Sequence, residues 1–334
     1  MEFDVVKGGE VILDFFHKKI YFVGGKGGVG KSTTSAALAY YLSTQKKKVL
    51  LVSTDPAHNT GDLFHVELDG SITRIKDSLD VLEINSESES KRYIDEVKNN
   101  LKGLVKATMV EEVHRQIDLA AGTPGAEEAA LFDKITSIIL DEVENYDAII
   151  FDTAPTGHTI RLLTLPEIMG VWMDGMLERR RQVNEKNYHR WMEDGEKLED
   201  PIYEKLQARR RKFTRVRDYL LNPDNTEYIF VLNAERLPIL ETNKAIEVLG
   251  QHQISVNTVV VNKLIPNEAD GSFLQKRKEN ESIYRREIED IFKEQRKIML
   301  PMLETDISTY EHLQQFAELL KRELEKLKGV SSGF

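Results

Sequence analysis

The chain has 334 residues, 40% of them hydrophobic and 31% charged, with a formal net charge of -10 and no cysteine. That length fits one large domain or two medium ones. The absence of thiols excludes a disulfide framework, a thiolate zinc or iron–sulfur site, a cysteine nucleophile and thiol capture of soft metalloids, and the acidic balance argues against general nucleic-acid binding.

The N-terminal MEFDVVKGGEVILDFFHKK mixes acids among its apolar residues and lacks a basic segment leading into an apolar one, so it does not read as a signal peptide. No window approaches the ~20 uninterrupted apolar residues of a membrane helix, and a cytoplasmic location is expected. Residues 20–23 (IYFV) read as a buried strand, 24–31 as a glycine-rich turn and 32–42 as a helix. Residues 49–52 (VLLV) form a second strand and 81–84 a weaker third. A helical segment over about 89–119 follows, with Leu101, Val105 and Met109 in its apolar stripe. The fourth strand, 148–151 (AIIF), ends in Asp152. A second helical stretch, about 166–221, places Met169, Met173 and Met176 on one face and carries two basic clusters, 179–181 and 209–212, read as solvated helix faces. Residues 228–232 and 258–261 are further strands, and 309–327 is an amphipathic helix suited to docking on a sheet. Continuous apolar strands alternating with helices predict a doubly wound, mostly parallel α/β sheet. The whole chain, 1–334, reads as one such domain, with a helical subdomain made by inserts at about 89–130 and 166–221.

The sharpest motif is Gly25-Lys26-Gly27-Gly28-Val29-Gly30-Lys31-Ser32, which fits GxxxxGK[ST] between a strand and a helix. Glycines let successive backbone N–H groups converge on phosphate oxygens, and the helix N-terminus adds partial positive charge. Lys31 is placed for the β- and γ-phosphates of a nucleotide and Ser32 for Mg²⁺, with Thr33 next in the loop. Asp55 and Asp152 each follow a strand beside this turn. Asp152 suits orientation of Mg²⁺ through water, and Asp55 suits orientation or deprotonation of an attacking water.

Together the segments GGKGGVGKS, STDPAH, FDTAPTGHTIRLLTLPE, TPGAEEA and VNKL resemble the ATPase family that unites arsenite-pump subunits with chaperones that target tail-anchored membrane proteins. The motifs are nearest to the targeting branch, and the resemblance spans about residues 15–325. It implies a P-loop fold with a deviant Walker A motif, and a homodimer with ATP at its interface. By position it makes Lys26 a lysine that crosses to the partner's phosphates, Asp55 the water-positioning residue of the first switch and Asp152 the start of the second. It also assigns Asn262 and Pro301 to the adenine and Glu235 to the nucleoside, although Glu235 reads equally well as a surface glutamate. Where the targeting branch often carries a zinc-binding CxxC, this chain has Gly271-Ser272-Phe273-Leu274, so no zinc site is expected.

The resemblance further implies a factor that binds hydrophobic tail-anchor segments and delivers them to a membrane, with a membrane receptor as partner and no nucleic acid. Leu101, Val105, Met109, Met169, Met173 and Met176 are the candidates for a client groove, since methionine adapts to varied apolar surfaces. The alternative is a regulatory or scaffold ATPase gating a soluble partner, with those side chains packing the subdomain. An arsenite-pump subunit fits less well, because the metalloid site of that branch needs cysteine.

Overall fold

The structure, a computed structural model, describes residues 15–55, 59–101, 110–121, 124–154, 156–190 and 200–329. Residues 56–58, Val105, Met109, Thr123 and Pro155, all named above, lie outside that set. The chain divides into two compact units: one takes the residues up to Asn85, Asp141–Ile160 and the chain from Leu220 onward, the other Ser86–Leu140 and Arg161–Tyr219.

The strands are β1 (Ile20–Gly25), β2 (Val49–Ser53), β3 (Thr73–Lys76), β4 (Leu79–Glu83), β5 (Ala148–Asp152), β6 (Thr226–Asn233), β7 (Thr258–Leu264) and β8 (Arg296–Pro301). The helices are α1 (Lys31–Thr44), α2 (Asn59–Phe64), α3 (Ser86–Leu101), α4 (Val110–Ala121), α5 (Pro124–Glu142), α6 (Thr156–Arg190), α7 (Pro201–Leu221), α8 (Arg236–Gln251), α9 (Ser272–Ile291) and α10 (Tyr310–Gly329).

The first unit is built on an eight-stranded sheet in the order β3-β4-β2-β5-β1-β6-β7-β8. Every neighbouring pair is parallel except β3 with β4. The expected doubly wound α/β class is therefore present. Parallel strands must be covered on both faces, and β1, β2, β4 and β5 are buried at every position. On one face Tyr21, Val23, Leu51 and Val81 meet α1 and the C-terminal helix, which contributes Leu313, Phe316, Leu320 and Leu324. The amphipathic C-terminal segment thus closes the core rather than standing free. On the other face the register sets Phe22 opposite both Phe151 and Tyr228, and the rings stack at 4.7 and 5.5 Å. A smaller cluster joins Leu232, Val259 and Val261 to Ile239 of α8 and Ile288 of α9.

Two strands lie beyond those read from the sequence, and both are edges. β3 (TRIK) alternates between half-buried and exposed positions, and β8 opens on Arg296 and Lys297. Edge strands carry polar residues because one side of the strand stays free, which removes the continuous apolar signal.

The second unit is helical. Its core brings Phe132 and Phe213 to 5.2 Å between ring centres, with Met173 and Val216 buried. Two helices, α3 and α4, occupy the described part of the segment read as one helix. The other stretch begins earlier than expected: α6 starts at Thr156 and runs through Pro166. A proline there removes one backbone donor, which a long helix tolerates at a cost. α7 starts at Asp200-Pro201, where Asp200 Oδ1 accepts from the N–H groups of Ile202 and Tyr203. Proline at the first helical position and aspartate before it are both favoured there.

The basic clusters are not simple solvated faces. Arg180 forms a two-bond pair with Asp200, Arg209 reaches Asp133 and the Tyr93 hydroxyl, Arg210 pairs with Asp174, and Lys212 donates to Ser137. Asp133 is buried, and Arg209 at 3.3 Å and Lys212 at 3.9 Å balance its charge.

Candidate nucleotide site

The GxxxxGK[ST] turn leaves the end of β1, the central strand between β5 and β6, and enters α1 at Lys31. Its glycines are required by crowding. A Cβ on Gly25 would lie 2.2 Å from the Val231 carbonyl oxygen at φ +142°, and one on Gly30 would lie 2.3 Å from Asn262 Nδ2 at φ +99°. Thr34 closes the first helical turn, with both its N–H and its hydroxyl donating to the Gly30 carbonyl. Lys31 is buried at the head of the helix.

Asp152 ends β5 beside this turn. Ser35 Oγ lies 3.3 Å from its Oδ1, while Oδ2 is buried without a hydrogen-bond partner. Burial pushes its carboxyl up to about 6, while the nearby Ser32 hydroxyl and the Lys31 ammonium pull it down. A buried carboxylate with one oxygen unpaired, next to a serine hydroxyl, suits a divalent cation or its bound water. The glycine-lined turn, Ser32 and this oxygen therefore fit Mg²⁺ and a polyphosphate. The ion would neutralise charge on the transferring phosphoryl group.

A cavity of about 1620 Å³ opens over the turn, lined by Gly27, Gly28, Gly30, Lys31, Ser32, Thr33, Asp55, Asn262, Lys263 and Pro301 among others. Most of the residues anticipated from the sequence thus converge. Asn262 is buried, and its Nδ2 donates to the Val29 carbonyl at 2.9 Å.

Two anticipated residues are engaged elsewhere. Glu235, just before α8, lies 3.6 Å from Arg277 and is not among the cavity-lining residues. Lys26 pairs with Glu241 of α8 at 2.7 Å. The cavity also takes in a stretch not singled out from the sequence, Met302 to Ser308, which follows β8. Its position depends on β8 pairing with β7, a contact that no local motif announces.

Among the proposed client residues, Met173 is 1% exposed and Met169 and Met176 are partly buried. The side chain of Leu101 is outside the described set. Among the described side chains of α6, Ile168 and Val171 are large, apolar and exposed.

A family model for the Anion-transporting ATPase matches residues 18–322. The chain belongs to this ATPase family. It hydrolyses ATP to ADP and phosphate. A protein of Aquifex aeolicus that carries the name of an arsenical pump-driving ATPase is 34% identical over 302 residues, covering 90% of this chain and 99% of that protein. The ATPase GET3 of Mycosarcoma maydis is 31% identical over 316 residues, 92% of each chain. The ATPase get3 of Schizosaccharomyces pombe is 31% identical over 334 residues, 96% of each. Among the described residues, no helix is long and apolar enough to cross a membrane.

Proposed function

We propose that this ATPase is a Mg²⁺-dependent homodimeric targeting factor that shields hydrophobic tail-anchor segments and delivers them to a membrane. The observation that carries this reading is the course of α6. The helix begins at Thr156, a short step beyond Asp152, and its later turns belong to the helical unit. One helix, starting four residues after Asp152, therefore runs from the unit that holds β5 into the unit offered as the client binder. The motif resemblance to the targeting branch supports the same reading, and the missing cysteines count against metalloid transport.

In this reading Lys31, Ser32 and the loop amides hold the phosphates, Ser32 and Asp152 hold Mg²⁺, and Asp55 orients water. Asn262 and Pro301 receive the base, with Glu235 at the nucleoside. Lys26 acts on the partner's nucleotide and must first leave Glu241. That exchange is cheap, since an exposed ion pair contributes about 0–1 kcal/mol.

A second reading, a regulatory ATPase that gates a folded partner, is favoured by the burial of Met173 in the core of its unit. Co-expression with a tail-anchored protein separates the two. Recovery of a soluble complex supports targeting. Intact ATPase activity with no complex, and capture of folded soluble partners by Asp55→Asn, supports the regulatory reading.

A further inference from the structure

At the end of β7 two consecutive side chains reach back to the phosphate turn. Asn262 Nδ2 donates to the Val29 carbonyl and Lys263 Nζ donates to the Gly28 carbonyl, each at 2.9 Å. Neighbouring side chains on a regular strand point to opposite faces, so two in succession would not ordinarily meet one turn. The backbone of Lys263 supplies the exception. Its φ is +57°, uncommon for a residue with a β-carbon, and the pairing of β7 with β8 shifts register between Val261 and Leu264.

The consequence for the turn follows from peptide geometry. A planar trans peptide holds its C=O and N–H on opposite sides. With the Gly28 and Val29 carbonyls held by β7, the N–H groups of Val29 and Gly30 are turned the other way. Those are two of the consecutive donors that an anion-binding turn must present together. The ammonium on the Gly28 carbonyl also polarises that peptide and makes the Val29 N–H a stronger donor.

We infer that Lys263 is a positioning residue for phosphate binding: with Asn262 it forms a two-point clamp on the outer carbonyls of the turn that presets the inner N–H groups before nucleotide arrives. The inference rests on reading this turn as the site of the ATP phosphates. It concerns Lys263 in particular, whose ammonium is spent on the loop and not on a carboxylate among the described contacts.

The test uses the full-length protein as wild type, Lys263→Met and Lys263→Arg, titrated with ADP and with ATP in the presence of Mg²⁺. Lys263→Met should weaken both dissociation constants about tenfold, the scale of one hydrogen bond from a charged donor. Lys263→Arg should recover them to within about threefold. KM for ATP should rise in Lys263→Met while kcat stays within about threefold, because a preset cradle serves ground and transition states alike. Lys263 is exposed, so the thermal midpoint of nucleotide-free protein should not move. A purely structural role would shift that midpoint instead. Wild-type affinity in Lys263→Met, or a loss that Lys263→Arg does not recover, would overturn the clamp alone. A wild-type protein that binds neither nucleotide would overturn the site reading and the clamp with it.

Discussion

Asp152 illustrates how one position trades stability for chemistry. Its folded carboxyl sits near 6 rather than at the ordinary 3.8, chiefly because it is buried. The native state therefore holds a proton that the unfolded chain has released between those values. Stability of the nucleotide-free, metal-free protein should fall as pH rises from about 4 to about 6, and the full penalty should persist above that window. Asp152→Asn should abolish this slope in urea titrations and stabilise the free protein by about 2–3 kcal/mol at neutral pH, while ATP hydrolysis is lost.

Lys26 gives a second prediction at the same scale. Lys26→Ala should keep substantial nucleotide binding, since Lys31 and the loop amides remain, but lose about 10³-fold or more in turnover if the lysine stabilises transition-state charge. Glu241→Gln, which frees Lys26 without removing it, should leave turnover within about fivefold or raise it, because the pair it breaks is exposed. The phosphate residues were legible because a glycine-rich turn needs its residues in one short run. The Lys26–Glu241 pair was not, since it joins residues far apart in the chain.

Among the elements, the inner strands announced themselves. Residues 49–52 and 148–151 are apolar throughout because both their faces are covered. The edge strand β8 did not, yet it matters to the site, because the cavity-lining stretch after Pro301 follows it. Its anchor is Arg296, whose guanidinium lies 3.1 Å from Thr258 Oγ1, 3.7 Å from Glu227 Oε1 and over the Phe15 ring. Glu227 is 1% exposed and also accepts from Thr258 Oγ1. Arg296→Met should cost about 3–5 kcal/mol in chemical denaturation, as expected when a buried ion pair loses one member. Glu227→Gln in the same background should recover part of the loss. In the helical unit, the start of α7 after Asp200 lies inside what the sequence reads as one helical stretch, about 166–221. α6 starts ten residues before the expected 166, with Pro166 inside it.

For the whole molecule, the composition sets a clear expectation about metals. There is no cysteine, and among the described residues no cluster of three or more His, Asp or Glu side chains is placed to hold an ion. A zinc chelator should therefore leave the oligomeric state in sedimentation unchanged, whereas removing Mg²⁺ should abolish hydrolysis. Dissociation on zinc chelation would show that some other ligand set staples the assembly.

By itself the sequence determined the α/β class, the phosphate turn and the family, because each is written in a short stretch or in the period of apolar residues. Only the tertiary structure decided that Lys26 lies against Glu241, that Lys263 and Asn262 grip the turn, and that Met173 faces a core. Those outcomes depend on which distant elements come to lie side by side. The energy that chooses among such pairings is summed over the whole fold, and no single segment carries it.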